Sequence, residues 1–401
     1  MPTDGDRALL QTAVDAIRGV VGPCEGTVPL HEPCFRGREW KYVKQCLDTG
    51  WVSSVGSFVN DFERHLQELT GCPYAVATGT GTSALHVCFE LVGVGAGDEV
   101  LVPALSFVAT ANAVVYTGAV PHFVDCEATS LGIDPEVLDA YLAEIAVRRD
   151  DRLVNRVTGR RLAAVAPVHM FGHPCQIGAI AEVAAKYGLT VVEDAAESLG
   201  SSIGGRQTGT WGRVAALSFN GNKTVTTGGG GAILTRDAEL AARALHLTTQ
   251  AKVPHRWEYR HDAIGYNYRL PNLNAALGCA QLEQLPAFVT SKRRLAARYA
   301  EVFGEIDGLA FVVEPAGTSS NYWLCALLLD EGLEHLLEPL LAATNDAGLM
   351  TRPAWGLLAD LPMYTGAPKA PLPVSTGVTR RLVNVPSSPG LLLDAGAEAR
   401  A

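Results

Sequence analysis

The stretch LTVVEDAAESLG (189–200), followed by VAALSFNGNKTVTTGGGGAIL (214–234), decides the fold and brings two ionisable residues to strand ends. The β-branched run 190–192 predicts a buried strand, and Asp194 lies where that strand gives way to a loop. Lys223 follows a second apolar strand and precedes four consecutive glycines. Because glycine lacks a side chain, this run lets the backbone turn tightly and approach a bulky group closely.

A pyridine cofactor with an aldehyde group explains this pair of residues. Pyridoxal phosphate (PLP) requires a lysine amine for a Schiff base and a carboxylate that keeps its ring nitrogen protonated. Ser218, just before the lysine, is a candidate for a contact with the cofactor phosphate. Each residue alone has an ordinary explanation, because such a lysine is usually a solvated loop charge and such an aspartate a helix cap or turn residue. Their order and context together favour the cofactor.

A second motif, YAVATGTGTSALHVCFELVGV (74–94), runs from a strand through Gly, Thr and Ser residues into an apolar helix. A turn of this kind presents backbone N–H groups and hydroxyls at the positive end of the helix dipole, which favours phosphate. A capped helix start without a ligand is the alternative. The motif lacks the lysine of a P-loop and the spacing of a dinucleotide fingerprint, so it supports neither ATP nor NAD.

Short apolar runs alternate with helical segments between residues 99 and 194, which predicts an α/β fold with a mostly parallel central sheet covered by helices on both faces. Phe107 ends one strand at the carboxyl edge, where open α/β sheets bind ligands; an aromatic there either stacks on a planar ring or fills the core. His169 ends another strand. It either contacts a cofactor oxygen or is a hydrogen-bonded histidine of the core. The predicted helices span Arg7–Val20, Arg38–Leu47, Ala109–Tyr116, Ile177–Tyr187, Ala238–Leu247 and Leu333–Ala347.

The pattern divides the chain into three parts. Residues 1–27 form an N-terminal helical extension, residues 28–286 a large cofactor-binding domain, and residues 287–401 a smaller C-terminal α+β domain. The second boundary falls inside a long helical connection. The segment TQAKVPHRWEYRHDAIGYNYRL (249–270) is rich in polar aromatic residues and predicts a loop that lines a pocket or crosses an interface.

Charge and cysteine usage narrow the setting of the protein. The 401-residue chain has a formal net charge of -10 and no long basic run, so it does not resemble a nucleic-acid-binding protein. Its nine cysteines are scattered and form no C-x-x-C pair, which favours a reduced cytoplasmic setting and no metal site. The first residues lack the apolar core of a signal peptide, and no apolar stretch reaches the length of a membrane span. We therefore expect a cytoplasmic enzyme without a nucleic-acid or membrane partner.

In combination, the motifs resemble the DegT/DnrJ/EryC1/StrS family of sugar aminotransferases, which has the aspartate aminotransferase (type I) fold of PLP enzymes, over roughly residues 28–388. The resemblance implies PLP as the cofactor, with Lys223 holding its aldehyde and Asp194 its ring nitrogen as the catalytic residues. It also implies a homodimer with shared active sites, because Asn267 is expected to reach the phosphate in the neighbouring subunit. The cofactor-binding residues it implies are Gly81 and Thr82 in TGTSALH, Phe107 in SFVATANAV, Asp194 and Glu197 in EDAAES, Ser218 and Lys223 in SFNGNKTVTTGGGGA, and Asn267 in IGYNYRL.

Three residues depart from the family pattern. The family usually has Gln where Glu197 stands, Asp where Arg213 stands and Glu where Gly229 stands. Position 197 is expected near the phenolic oxygen of the cofactor. A carboxylate and a phenolate repel each other unless one of the two holds a proton. Of the cofactor contacts that the resemblance implies, the one at Glu197 is therefore affected most by these departures.

A narrower likeness concerns the substrate. The segments PLHEPCFRGREWKYVKQCLDTGWVSSVGSF (29–58) and TRPAWGLLADLPMY (351–364) are most similar to family members that aminate a UDP-linked 4-keto-6-deoxy-N-acetylhexosamine, with L-glutamate as the donor, on routes to sugars such as legionaminic acid. Two alternatives stay open. One is a PLP-dependent nucleotide-sugar dehydratase, although such members typically carry His at the lysine position; the other is a catalytically silent PLP-fold protein that acts as a binding or regulatory module.

Overall fold

The computed structural model describes residues 3–23 and 26–393. Cys24 and residues 394–401, the end of the predicted C-terminal domain, lie outside these ranges. The helices, numbered α1 to α12 in chain order, span Asp4–Val21, Glu39–Thr49, Ser57–Thr70, Gly81–Leu91, Ala109–Tyr116, Pro135–Ile145, Ile177–Tyr187, Ala238–Thr248, Asn272–Leu282, Leu285–Phe303, Leu337–Asp346 and Pro373–Thr379. The strands, numbered β1 to β18, span Tyr74–Thr78, Glu99–Pro103, Val120–Val124, Ala146–Arg149, Arg152–Asn155, Leu162–Val165, Thr190–Asp194, Ser202–Ile203, Arg206–Gln207, Val214–Ser218, Gly231–Thr235, Lys252–Val253, Arg260–His261, Leu309–Phe311, Thr318–Ser319, Cys325–Leu329, Arg352–Pro353 and Leu382–Val385.

A seven-stranded sheet forms the centre of the molecule, with the strand order β1-β11-β10-β7-β6-β2-β3. The five neighbours from β10 to β3 run parallel, whereas β11 is antiparallel to the strands on either side of it. These strands are buried along nearly their whole length, which explains why their sequences are largely apolar rather than alternating. The predicted α/β fold with a mostly parallel sheet is confirmed.

Local chemistry sets the ends of the helices that flank the sheet. Helix α4 begins at a capping box, in which the Thr80 hydroxyl accepts a hydrogen bond from the Ser83 N–H (3.0 Å) and the Ser83 hydroxyl accepts one from the Thr80 N–H (3.1 Å). Helix α7 ends at Gly188, whose φ of 76° lies in the left-handed region that favours glycine. Both signals are local, and the capping residues of α4 lie in the Gly/Thr/Ser turn after which the sequence predicts a helix.

A second core lies in the C-terminal part of the chain. Strands β14, β16, β18 and β17 form an antiparallel sheet, and helices α10 and α11 pack on it. Helix α1 packs here as well, because Ile17 lies in one buried cluster with Tyr299 and Leu336. The N-terminal helix thus shares its core with residues beyond 287. The division at residues 27 and 286 stays a prediction.

The predicted helices differ from the observed ones mainly at their ends. Ala109–Tyr116 and Ile177–Tyr187 agree residue for residue, and most of the other ends shift by one to three residues. The prediction for Leu333–Ala347 was wrong at its start, because a 3₁₀ turn at Glu334–Leu336 precedes α11. Such a turn carries the same apolar spacing as the first turn of an α-helix, so periodicity does not separate the two.

Candidate active site

A cavity of about 310 Å³ opens where β7 and β10 end and α4 begins. The carboxyl ends of parallel strands and the N-terminus of a helix meet here, as expected for a ligand site in an open α/β sheet. Seven of the eight predicted site residues line the cavity: Gly81, Thr82, Phe107, Asp194, Glu197, Ser218 and Lys223. The structure therefore brings these seven residues together at one cavity, while the role of each residue stays a prediction.

The Asp194 carboxylate is buried and fixed by two hydrogen bonds. Its Oδ2 accepts from the Thr110 hydroxyl (2.6 Å), and its Oδ1 accepts from the Ala196 N–H (3.1 Å). Burial raises the pKa of Asp194, and the Thr110 bond opposes that rise. A carboxylate in this state is stabilised further by any cation brought next to it, such as a protonated ring nitrogen.

The Lys223 amine faces the same cavity. Its Nζ lies 3.5 Å from Glu197 Oε1 and 3.6 Å from the centre of the Trp323 ring. Burial lowers the pKa of Lys223, and the Glu197 carboxylate opposes this effect. An amine with a lowered pKa is more often uncharged at neutral pH, which is the form that attacks an aldehyde.

The Glu197 carboxylate is buried beside this amine. Its Oε2 accepts a hydrogen bond from the Phe171 N–H (2.8 Å). Burial raises the pKa of Glu197 to about 7. The departure from the family's Gln therefore introduces a titratable group next to Lys223, and this group can hold a proton near neutral pH.

Close backbone approaches form the opposite end of the cavity. A Cβ added at Gly81 would lie 2.7 Å from Ser218 Cβ, and one added at Gly231 would lie 2.4 Å from the Thr80 carbonyl oxygen. Glycine at both positions lets the start of α4 sit directly against the end of β10 and the beginning of β11. The Ser83 N–H is taken by the Thr80 hydroxyl, whereas the N–H groups of Gly81 and Thr82 have no intrahelical acceptor, so this corner combines these two donors with the Ser218 hydroxyl. It suits a phosphate.

These residues fit PLP by their own chemistry. The buried Ser106 hydroxyl lines the cavity and has no hydrogen-bond partner among the residues that the structure describes, so it is available to a ligand. Phe107 leaves half of its surface exposed at the cavity wall, where it can stack on a flat ring. An amine, a buried carboxylate, an aromatic face and a phosphate corner thus surround one space.

Among the residues of the cavity wall that sequence reasoning missed are Ser106, Thr110, Trp323 and Trp355. Trp355 contacts Phe107 with 5.6 Å between ring centres and stacks on Trp323 at 6.4 Å. Both tryptophans belong to the part of the chain beyond 287, so no local pattern places them near Lys223. The one available signal was the segment 351–364, which contains Trp355.

Two other candidates lie outside the cavity lining. Asn267 is exposed and bridges to Thr249, so within one chain it is not brought to Lys223. The expectation that it serves a neighbouring subunit stays a prediction. His169 is fully buried and bonded through Nε2 to Glu193 Oε1 (2.8 Å), which is the core alternative for this residue.

The fold and the cavity together define a PLP-dependent transferase. The chain matches the model of the DegT/DnrJ/EryC1/StrS aminotransferase family over residues 33–398. It is 35% identical over 370 residues to the GDP-perosamine synthase of Vibrio cholerae, covering 92% of this chain and 95% of that protein. It is 37% identical over 338 residues to the putative pyridoxal phosphate-dependent aminotransferase EpsN of Bacillus subtilis (strain 168), covering 84% of both. The crystal structure of DesI in the presence of its TDP-sugar product is similar with a TM-score of 0.78 and 28% identity, covering 92% of this chain and 90% of that one.

The chain therefore belongs to the DegT/DnrJ/EryC1/StrS aminotransferase family. It is a sugar aminotransferase, and the predictions of this family and of PLP as its cofactor are confirmed.

Proposed function

We propose that this enzyme moves an amino group from L-glutamate to the keto carbon of a nucleotide-linked keto-deoxysugar, with C4 of a UDP-linked 4-keto-6-deoxy-N-acetylhexosamine as the acceptor. The observation that carries the proposal is the placement of the Lys223 amine and the Asp194 carboxylate on one cavity together with the phosphate corner at Gly81. A binding module without catalytic activity would not need the amine, the carboxylate and the phosphate corner in the same cavity.

The residues of the cavity divide the work of holding the cofactor. The first turn of α4 and Ser218 would hold the phosphate, Phe107 would cover the ring, and Asp194 would hold the ring nitrogen in its protonated form. When bound, PLP supplies an electron sink for the charge left after a proton is removed from the substrate carbon.

Lys223 would serve twice in such a reaction. Its uncharged amine is the nucleophile for the cofactor aldehyde, and once free it takes a proton from the substrate carbon and returns it elsewhere. Arginine does not give up its proton, so it would not replace this lysine. The lowered pKa of Lys223 supports both steps, since each needs the uncharged amine near neutral pH.

The choice of acceptor rests on similarity and on one wall of the cavity. The GDP-perosamine synthase and DesI, which was crystallised with a TDP-sugar product, carry names that point to nucleotide-linked sugars. Their nucleotides differ, so the UDP-linked hexosamine follows instead from the sequence likeness of residues 29–58 and 351–364. Trp355, in the second of these segments, lines the cavity and is suited to contact a sugar face.

The wider setting completes the proposal. We expect a homodimer in which Asn267 of the partner subunit completes each site, acting in the cytoplasm without a nucleic-acid or membrane partner. The exposed side chains of Trp257, Tyr259 and Ile264, in the segment that leads to Asn267, support a surface covered by a second copy. None of the described helices has both the length and the apolar character needed to cross a bilayer.

The assignment of Lys223 is tested by mixing PLP with the Lys223→Ala protein and recording the absorbance of lysine-bound cofactor. The band should be lost in this variant and kept in Lys186→Ala, a matched change of a lysine on the outer surface. A band of unchanged size in Lys223→Ala would refute the assignment.

The reaction is tested with the wild-type protein, glutamate and a panel of nucleotide 4-ketosugars and 3-ketosugars, followed by mass. We expect an aminosugar formed in proportion to the glutamate consumed. Conversion of sugar without glutamate consumption would point to the dehydratase instead.

A further inference from the structure

Trp323 is held rigidly beside Lys223. Its indole N–H donates to the Asn222 carbonyl oxygen (2.6 Å), its backbone N–H donates to Asn321 Oδ1 (2.8 Å), and its carbonyl oxygen accepts from Lys292 Nζ (3.2 Å). The residue is almost fully buried. The indole hydrogen bond orients the ring, the two backbone hydrogen bonds hold its segment, and the ring face meets the Lys223 amine.

The amine has two distinct partners in this pocket. The Trp323 face lies 3.6 Å below Nζ, and Glu197 Oε1 lies 3.5 Å from it, while only 12% of the lysine side chain is exposed. An aromatic face and a carboxylate both attract an ammonium, and both attractions strengthen when water is excluded. Neither attracts an uncharged amine to the same degree. These two partners therefore favour the charged form of the lysine and offset part of the effect of burial, which lowers its pKa.

One buried side chain links the two partners. Asn321 Nδ2 donates to the carbonyl oxygens of Glu197 and Leu199, each at 2.9 Å, while its Oδ1 accepts from the Trp323 N–H. The Asn321 amide thereby holds both the loop that carries Glu197 and the segment that carries Trp323. The hydrogen bonds from Asn321 to Glu197 and Leu199 also tie the C-terminal part of the chain to the loop that follows β7.

We infer that Trp323 and Glu197 form a holding site for the free ammonium of Lys223, and that Trp323 is a positioning residue for the reaction. The inference rests on the proposed function, in which Lys223 is released from the cofactor in each half of the reaction. Once the released amine has taken the proton from the substrate carbon it is an ammonium, and this site would hold it at the cavity wall until it returns the proton. Movement of the C-terminal segment would then change the proton affinity of the amine.

Other titratable groups around the amine act on it from several elements. Glu197 and Asp194, after β7, favour the ammonium, whereas burial opposes it. Lys292 donates to the Trp323 carbonyl oxygen, and burial lowers the pKa of His31, with the charges of Lys292 and Lys223 adding to that effect. Because Trp323 carries no charge, its removal leaves all of these groups in place.

The test measures the proton affinity of Lys223 without turnover. Cofactor-free protein is mixed with PLP over a range of pH, and the rate at which the band of lysine-bound PLP appears gives the midpoint for the uncharged amine. In Trp323→Leu we expect this midpoint to fall by about one pH unit, an about tenfold loss of proton affinity, because the aromatic face is gone. Trp323→Phe keeps a smaller face and should fall between wild type and Trp323→Leu.

The matched control is Trp211→Leu, since Trp211 also holds a cation, Arg206, at 4.1 Å from its ring centre but lies outside the cavity lining. Its midpoint should equal that of the wild type. A wild-type midpoint in folded Trp323→Leu, or in Trp323→Phe if the leucine variant does not fold, would overturn the inference. Failure of the proposed function looks different, because wild-type protein would then bind PLP no better than Lys223→Ala.

Discussion

The exchange of Glu197 for glutamine should remove a pH dependence of stability from the cofactor-free protein. The substitution is close in shape. A glutamine oxygen can still accept the Phe171 N–H and face Lys223, so the change removes the titrating group and leaves the packing intact. The wild-type and Glu197→Gln proteins therefore differ mainly in one buried proton-binding site.

The magnitude follows from the pKa of this carboxyl. Burial raises the pKa of Glu197 from its ordinary value of 4.5 to about 7, and each pKa unit corresponds to about 1.4 kcal/mol, which gives about 3 kcal/mol. Because the folded state binds this proton more tightly than the unfolded state, the stabilisation is complete below pH 4.5 and is lost as the pH rises through 7. Loss of the Glu197 charge also lowers the pKa of Lys223 further. The free energy of unfolding of Glu197→Gln then rises more with pH, which enlarges its difference from the wild type.

The assay is urea unfolding of both cofactor-free proteins at about pH 5 and about pH 8. The wild type should lose about 3 kcal/mol more of its free energy of unfolding between these conditions than Glu197→Gln does. Contributions from other buried groups, such as His173, whose pKa burial lowers to about 4, cancel in the comparison because both proteins contain them. Equal losses in the two proteins would refute the argument that Glu197 holds its proton to near neutral pH.

Two further predictions concern groups that shape the cavity. Gly231→Ala places a Cβ 2.4 Å from the Thr80 carbonyl oxygen and should lower the free energy of unfolding by about 3 kcal/mol. The control Gly95→Ala, whose Cβ meets nothing within 4 Å, should change it by less than about 0.5 kcal/mol. Equal urea midpoints for the two variants would contradict this prediction. Thr110→Val removes the 2.6 Å hydrogen bond to Asp194 and should weaken PLP binding by the cofactor-free protein about tenfold in a fluorescence titration, and an unchanged affinity would show that this bond does not support the cofactor.

Much of the fold could be predicted because its signals are local. The run before Asp194 is apolar and β-branched, so it predicts a buried strand whatever surrounds it, and the capping residues at Thr80 and Ser83 mark a helix start within four residues. The cavity followed from the same information, since parallel strands all end at one edge of the sheet. The 3₁₀ turn at Glu334–Leu336 was missed because its spacing imitates a helix.

The sequence by itself determined the order of the elements, the edge of the sheet at which ligands bind, and the identity of the amine and the carboxylate that face the cavity. Only the tertiary structure decided that Trp323 covers Lys223 and that Glu197 lies within 3.5 Å of the same amine. Periodicity and caps report on neighbours within a few turns or strands. The contact with Trp323 joins a loop after β10 to a segment about one hundred residues later, and it exists because Asn321, Lys292 and Asn222 hold that segment against the large sheet. No local pattern encodes such a contact, since it depends on how distant parts of the chain pack together.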